Sequence, residues 1–113
     1  MADELNEAMQ EEIYNDLYLE LGSEDDFNSD ILKSKIKSAY KEVKRERRYP
    51  KSYSIEQIEE DMGTYYTNVK NIALYDYNKI GAEGERSHSE NGIARTYIER
   101  NLLFAGIVPL SII

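Results

Sequence analysis

The sequence predicts a mainly α fold: a small bundle of about three helices, a glycine-rich loop or short hairpin, and an extended apolar carboxyl-terminal tail. Three observations predict it. Apolar residues recur at three- and four-residue spacing through most of the first 80 positions. Helix punctuation falls between these stripes, at Gly22, at Tyr49-Pro50, and at Ser54 with Gln57. The ending from Phe104 to Ile113 is apolar and carries Pro109, which is excluded from a helix interior. A chain of 113 residues, 41% hydrophobic and 32% charged, is sized for one domain with a thin core and much exposed surface. The expected organisation is a single helical domain over 1–113, with an acidic helix and turn in 1–29, a central helical pair in 30–80, and a loop and docking segment in 81–113.

The first helix is expected over roughly 3–21, where Met9, Ile13, Leu17 and Leu21 form a stripe that Tyr14 and Tyr18 widen and Gly22 stops. Residues 22–29 are polar and turn-forming, and Asn28 or Asp30 can cap the next helix. The second helix, about 30–48, buries Leu32, Ile36, Ala39, Tyr40 and Val43 and presents lysines and arginines on its other faces. Lys44, Arg45, Arg47 and Arg48 lie near its carboxyl end, where cations complement the macrodipole. Ser54 with Gln57 has the capping-box form and opens a third helix. Its stripe runs through Ile58, Met62, Tyr65, Val69, Ile72 and Ala73 towards Tyr77 and Ile80, with Gly81 ending it. Residues 82–92 read as a polar loop, Asn91-Gly92 as a candidate tight turn, and 94–103 as a short helix or strand.

Charge is distributed in three blocks. Residues 1–30 hold eleven acids and no Lys or Arg, residues 31–53 sum to +7, and the remainder sums to −4, for a net charge of −8. Such alternation suits head-to-tail contact between copies or a charged partner, while the plainer explanation is neutralisation between adjacent helices of one chain. Cysteine is absent, so neither a disulfide nor a thiolate metal site forms. No apolar run reaches the ~20 residues that cross a bilayer, and the acidic start lacks the features of a signal peptide, so a soluble, unprocessed protein is expected.

Chemistry finds little to build on. Asp26-x-Asn28-x-Asp30 opens like a calcium loop, but Ile31 stands where the loop needs Gly and Lys37 where it needs Glu, so helix capping is the better reading. His88 is the sole histidine, and the flanking Ser87 and Ser89 do not make a triad, which requires convergent geometry. Gly81-Ala-Glu-Gly84 has a GxxG form, yet Glu83 and Glu85 would repel a phosphate backbone. The expectation is therefore a non-enzymatic protein with no catalytic residues, no metal and no cofactor. The basic helix 31–48 and ten tyrosines leave a small DNA-binding regulator as the alternative, against which the net charge of −8 argues.

The segment from Asn71 to Tyr97 resembles the head-tail connector family of tailed bacteriophages and prophages. There a long helix runs into a stretch close to Tyr-Asn-x-x-Gly-x-Glu-Gly, then a serine-rich loop, Asn-Gly or Gly-Gly, and a closing Arg or Ser before Tyr. This sequence supplies Tyr77, Asn78, Gly81, Glu83, Gly84, Ser87, Ser89, Asn91, Gly92, Arg95 and Tyr97. The resemblance implies a helical adaptor that binds the portal protein after DNA packaging, forms a homo-oligomeric ring, and meets a tail-side stopper or tail-completion protein. It places the chain at the head-tail interface of the virion, and in the host cytoplasm before assembly, with no membrane. Packaged DNA passes through the channel without specific binding. Combined with the charge blocks, it nominates interface residues: Lys44, Arg45, Arg47 and Arg48 for charge pairing; Gly81, Glu83, Gly84, Arg86, Ser89, Asn91, Gly92, Arg95 and Tyr97 for a loop reaching a neighbour or the channel; and Phe104, Ile107 and Pro109 for a docking tail.

Overall fold

Four α-helices and a closing 3-10 helix make up the computed structural model, which describes residues 7–84 and 100–110. The helices are α1 (Glu7–Leu21), α2 (Ser29–Arg47), α3 (Ile55–Gly63) and α4 (Tyr66–Gly84), and the 3-10 helix spans Arg100–Phe104. No strand occurs among the described residues. The hairpin expected at Asn91-Gly92 and the start of the 94–103 element lie outside them.

The apolar stripes become the core. Met9, Ile13, Leu17 and Leu21 of α1 pack with Leu32, Ile36, Ala39, Tyr40 and Val43 of α2, and with Met62, Val69, Ile72 and Ala73, in one buried cluster. α2 is the central element: its largest contact is with α4, and α1 leans on both. Burial of these side chains, at roughly 1.5–3 kcal/mol for each large aliphatic, is the main term opposing chain entropy.

Asn28 caps α2, its Oδ1 accepting from the Ile31 N–H at 3.0 Å. Its own N–H donates to the Tyr77 hydroxyl at 2.9 Å, so α4 grips the turn that starts α2. Gly22 lets the Tyr18 ring approach closely, since a Cβ there would lie 2.6 Å from the ring and displace it. That ring folds back over the turn and meets Phe27 edge-on at 5.6 Å, and Phe27 in turn meets Tyr77 at 6.2 Å.

The expected third helix is two helices. The capping box of Ser54 and Gln57 forms as read, but the helix it opens ends at Gly63. Thr64 and Tyr65 donate to the carbonyls of Asp61 and Met62, bonds of the tight i to i+3 kind, before the Val69 N–H bonds to Tyr65 and α4 begins. Gly63 and Thr64 are both poor helix formers, and the apolar stripe runs across them without a gap, so periodicity alone carries no sign of the break. α4 then continues past Gly81 to Gly84. A single glycine inside a helix costs about 1 kcal/mol, which does not stop it.

Candidate functional site

The carboxyl end of α2 is where the fold concentrates its polar chemistry. The buried stripe at 36, 40 and 43 extends to position 47, so Arg47 points into the bundle and is only 9% exposed. Its guanidinium meets Asp61 of α3 at two points, Nε to Oδ2 at 2.8 Å and Nη2 to Oδ1 at 3.0 Å. Nη1 donates to the carbonyl of Val108 at 2.5 Å. The Arg47 carbonyl, one of the orphan acceptors at a helix end, takes the N–H of Leu110 at 2.6 Å. Both neighbours of Pro109 are thus tied to one residue, and the tail caps α2.

Aromatic rings close the sides of this knot. The Arg47 guanidinium lies 5.1 Å from the Tyr65 ring centre and 5.9 Å from that of Tyr49, whose hydroxyl donates to Asp61 Oδ2 at 2.6 Å. The Arg47 hydrogen bonds hold the Asp61 carboxyl below its usual range, with partial burial opposing them and the Tyr49 hydroxyl assisting. Burial, followed by the hydrogen bond to that carboxylate, pushes the Tyr49 hydroxyl up.

A second arginine fixes the 3-10 helix. Arg100 binds Asp76 of α4 through Nε at 2.9 Å and Nη2 at 2.8 Å, and Nη2 also reaches Glu42 of α2 at 2.9 Å. Asp76, then Glu42, raises the Arg100 pKa against partial desolvation. Asn68 adds bonds from its amide to the carbonyls of Leu103 at 2.8 Å and Ala105 at 3.1 Å. Phe104 and Ile107 pack against the core, while Leu102 and Val108 remain more than half exposed.

Outside the Arg47 knot lies a groove of about 580 Å³. Lys41, Lys44, Arg45 and Arg48 of α2 form one wall, and Tyr49, Pro50, Lys51, Tyr53 and Ile58 supply the rest. The Tyr49 and Tyr53 rings lie 5.7 Å apart. Arg48 ends α2 in the left-handed region, at φ 52°, a conformation that a glycine adopts without cost. The groove presents cations over an aromatic floor. A second cleft, of about 450 Å³ between α1 and α2, mixes Glu7 and Glu11 with Lys33 and Lys37, and Lys33 sits 5.0 Å from the Tyr14 ring centre.

Of the residues singled out from sequence, the structure brings Lys44, Arg45 and Arg48 to one groove and turns Arg47 inward. Gly81, Glu83 and Gly84 fall in the last turn of α4. Arg86, Ser89, Asn91, Gly92, Arg95 and Tyr97 lie outside the described residues. Phe104 and Ile107 face the core, and Pro109 is half-buried between the two anchors on Arg47. Sequence reasoning missed Asp61, Asp76, Glu42, Arg100 and the groove residues Lys51 and Tyr53. The inward turn of Arg47 had a signal, the four-residue step from Val43. No group of three or more potential metal ligands gathers among the described residues, and none of their helices is long and apolar enough to cross a membrane.

Comparison with protein families matches residues 15–104 to the phage gp6-like head-tail connector proteins, a span that takes in α2, α3, α4, the Arg47–Asp61 pair, the Arg100 knot and the basic groove. The chain belongs to that family. No curated protein and no solved structure matches it. Head-tail connectors are structural components of the virion, so the clamped bundle and its exposed charged faces belong to a protein that meets other virion proteins. In this connector the Arg47 and Arg100 knots hold the carboxyl-terminal segment to the bundle.

Proposed function

We propose that this connector is a non-enzymatic adaptor that binds the portal ring after DNA packaging and links the filled capsid to the tail or to a stopper protein. The observation that carries the reading is the family match over residues 15–104, which includes the whole segment from Asn71 to Tyr97 that resembles the family by motif. The architecture is in keeping with it. A bundle whose last segment is clamped to α2 and α4 by Arg47 and Arg100 presents a preorganised surface, and preorganisation lowers the entropy cost of joining an assembly.

In this reading copies form a ring, Gly81, Glu83 and Gly84 at the end of α4 lead into the segment that reaches the portal or a neighbour, and packaged DNA passes without specific binding. Arg86, Ser89, Asn91, Gly92, Arg95 and Tyr97 are that segment's polar and aromatic contacts. The exposed Leu102 and Val108 of the carboxyl-terminal segment offer apolar area for docking.

Deleting the gene from its phage or prophage and imaging the induced lysate tests this. Free tails beside tailless heads that are empty or leaking DNA are the expected result, and normal virions would sink the reading. The basic groove favours one competitor, a DNA-binding role through α2. A salt-dependent gel shift at micromolar protein is its signature, because phosphate contacts release counterions. No such shift is expected from the adaptor.

A further inference from the structure

We propose that the basic groove at the carboxyl end of α2 receives the acidic turn of a second copy of this chain, formed by residues 22–27, so that copies associate head to tail. The inference rests on the connector reading and specifies one of its contacts.

The turn is built to be presented. Gly22 N–H bonds to the Tyr18 carbonyl, Glu24 N–H to Leu21, and Phe27 N–H to Glu24, and the Phe27 ring anchors the turn on the core. Glu24, Asp25 and Asp26 are all exposed, and none of them forms an ion pair among the described residues. At the other end of α2, Arg45, Arg48 and Lys51 are likewise exposed or half-exposed and without an ion pair among the described residues. Three carboxylates and three cations therefore stand at opposite poles of the same helix.

Distance decides whether they serve each other within one chain. The 19 residues of α2 separate the poles by roughly 28 Å at 1.5 Å per residue. Screening at physiological salt acts over about 8 Å, so neutralisation within a molecule is negligible for these groups. A neighbouring copy brings them together. The contact joins two different surfaces, so it is heterologous and propagates from copy to copy, closing wherever the geometry imposes a ring. The half-buried Tyr49, Tyr53 and Pro50 give the groove an apolar floor that lowers the local dielectric and strengthens the pairing. A nucleic-acid backbone offers phosphates to the same cations, but it must approach a chain whose net charge is −8.

The chain has no cysteine, so a disulfide can report the contact. A phage carrying D25C together with R45C is grown, its particles are purified and oxidised, and the connector is resolved on a non-reducing gel. Within one chain α2 holds the two positions far beyond the ~7 Å Cα limit of a disulfide, so any bond between them joins copies. The expected result is a ladder from dimer upward that neither single variant produces. Connector present in tailed particles but monomeric on the gel overturns the contact and leaves the adaptor reading standing. Connector absent from tailed particles overturns both.

Charge reversal gives a second readout. With the reporting cysteines moved to Ser23→Cys and Lys44→Cys, R45E with R48E and K51E should cut the ladder yield by about tenfold or more, the scale of like-charge juxtaposition across an interface. Adding E24K, D25K and D26K to the same cysteine pair restores complementarity. Failure of the combined reversal to restore the ladder overturns the proposal, as does cross-linking of the groove arginines to packaged DNA in place of a neighbour.

Discussion

Arg47 and Asp61 face each other across the α2–α3 junction in a two-point ion pair, 2.8 and 3.0 Å long, and the same arginine holds both neighbours of Pro109. Their side chains are 11% and 26% exposed, so removing one partner leaves the other largely desolvated and without its counter-charge. Arg47→Ala or Asp61→Ala should each destabilise the fold by about 3 kcal/mol, the lower end of the range for breaking a buried pair because Asp61 keeps some water. Urea titration measures this. Arg47→Lys should recover little, since an ammonium cannot span the carboxylate and also reach the Val108 carbonyl. A loss below about 0.5 kcal/mol for Arg47→Ala would show that the knot is a surface pair in energetic terms.

The knot also fixes the sign of the pH dependence. The folded-state pKa of Asp61 is depressed by Arg47, so its contribution is complete above the unfolded value of about 3.9 and is lost as pH falls through the lower folded value. Tyr49 moves the other way. Its raised folded pKa gives a contribution present below the unfolded value of about 10 and lost as pH climbs towards the folded one. Stability measured in urea should therefore fall at both extremes. Asp61→Asn should flatten part of the acid limb, and Tyr49→Phe part of the alkaline limb. Unchanged limbs in both variants would assign the pH dependence to other groups.

The helices were legible in the sequence because each is amphipathic at the period of an α-helix, and their caps use side chains whose hydrogen bonds are local, as with Asn28 and with Ser54 and Gln57. The break at Gly63 was not legible, because the stripe of Met62, Tyr65 and Val69 continues across it and an i to i+3 turn keeps nearly the same face. Charge was legible only as composition. The run Lys44, Arg45, Arg47 and Arg48 reads as one basic cluster, yet helical phase sends Arg47 inward and the other three outward. The partners Asp61 and Val108 are 14 and 61 residues away from Arg47, and such contacts have no local signature. The tail reads as an exposed docking segment for the same reason: the bonds holding it come from other elements.

Arg48 carries a left-handed backbone, φ 52°, that costs an ordinary residue about 1 kcal/mol and a glycine almost nothing. Arg48→Gly should therefore raise stability, by roughly 0.5 kcal/mol once the added freedom of the unfolded chain is deducted. The same change removes a groove cation and should weaken assembly into particles. Thermal unfolding and incorporation into virions would be measured side by side. Lower stability for the glycine variant would mean that the Arg48 side chain contributes more to the fold than its exposed position indicates.

Gly106 has the other positive φ among the described residues, 88°, where the chain leaves the 3-10 helix and the Ile107 N–H bonds back to Phe104. A Cβ there meets nothing within 4 Å, so the cost of Gly106→Ala is purely conformational, about 1–2 kcal/mol. That cost should be felt in the tail more than in the bundle. Protection of the Leu110 amide against hydrogen exchange should drop while that of α2 core amides is kept. Equal loss in both would show that the tail and bundle unfold as one unit.

Arg100 separates those two possibilities from the opposite side, because it ties the 3-10 helix to α2 through Glu42 and to α4 through Asp76 without touching the Arg47 knot. Its side chain is 28% exposed and its partners 31% and 19%, so screening by solvent reduces the interaction to about 1–2 kcal/mol. Arg100→Ala should therefore loosen the 3-10 helix while the bond from Arg47 to the Val108 carbonyl and that from the Leu110 N–H to Arg47 persist. Combined with Arg47→Ala, the losses should exceed their sum if the two knots act on one strap, since each then holds what the other would release. A double-mutant cycle in urea gives the coupling directly. Additive losses within about 0.5 kcal/mol would mean that the knots are independent and that the segment from Arg100 to Leu110 is held as two separate pieces.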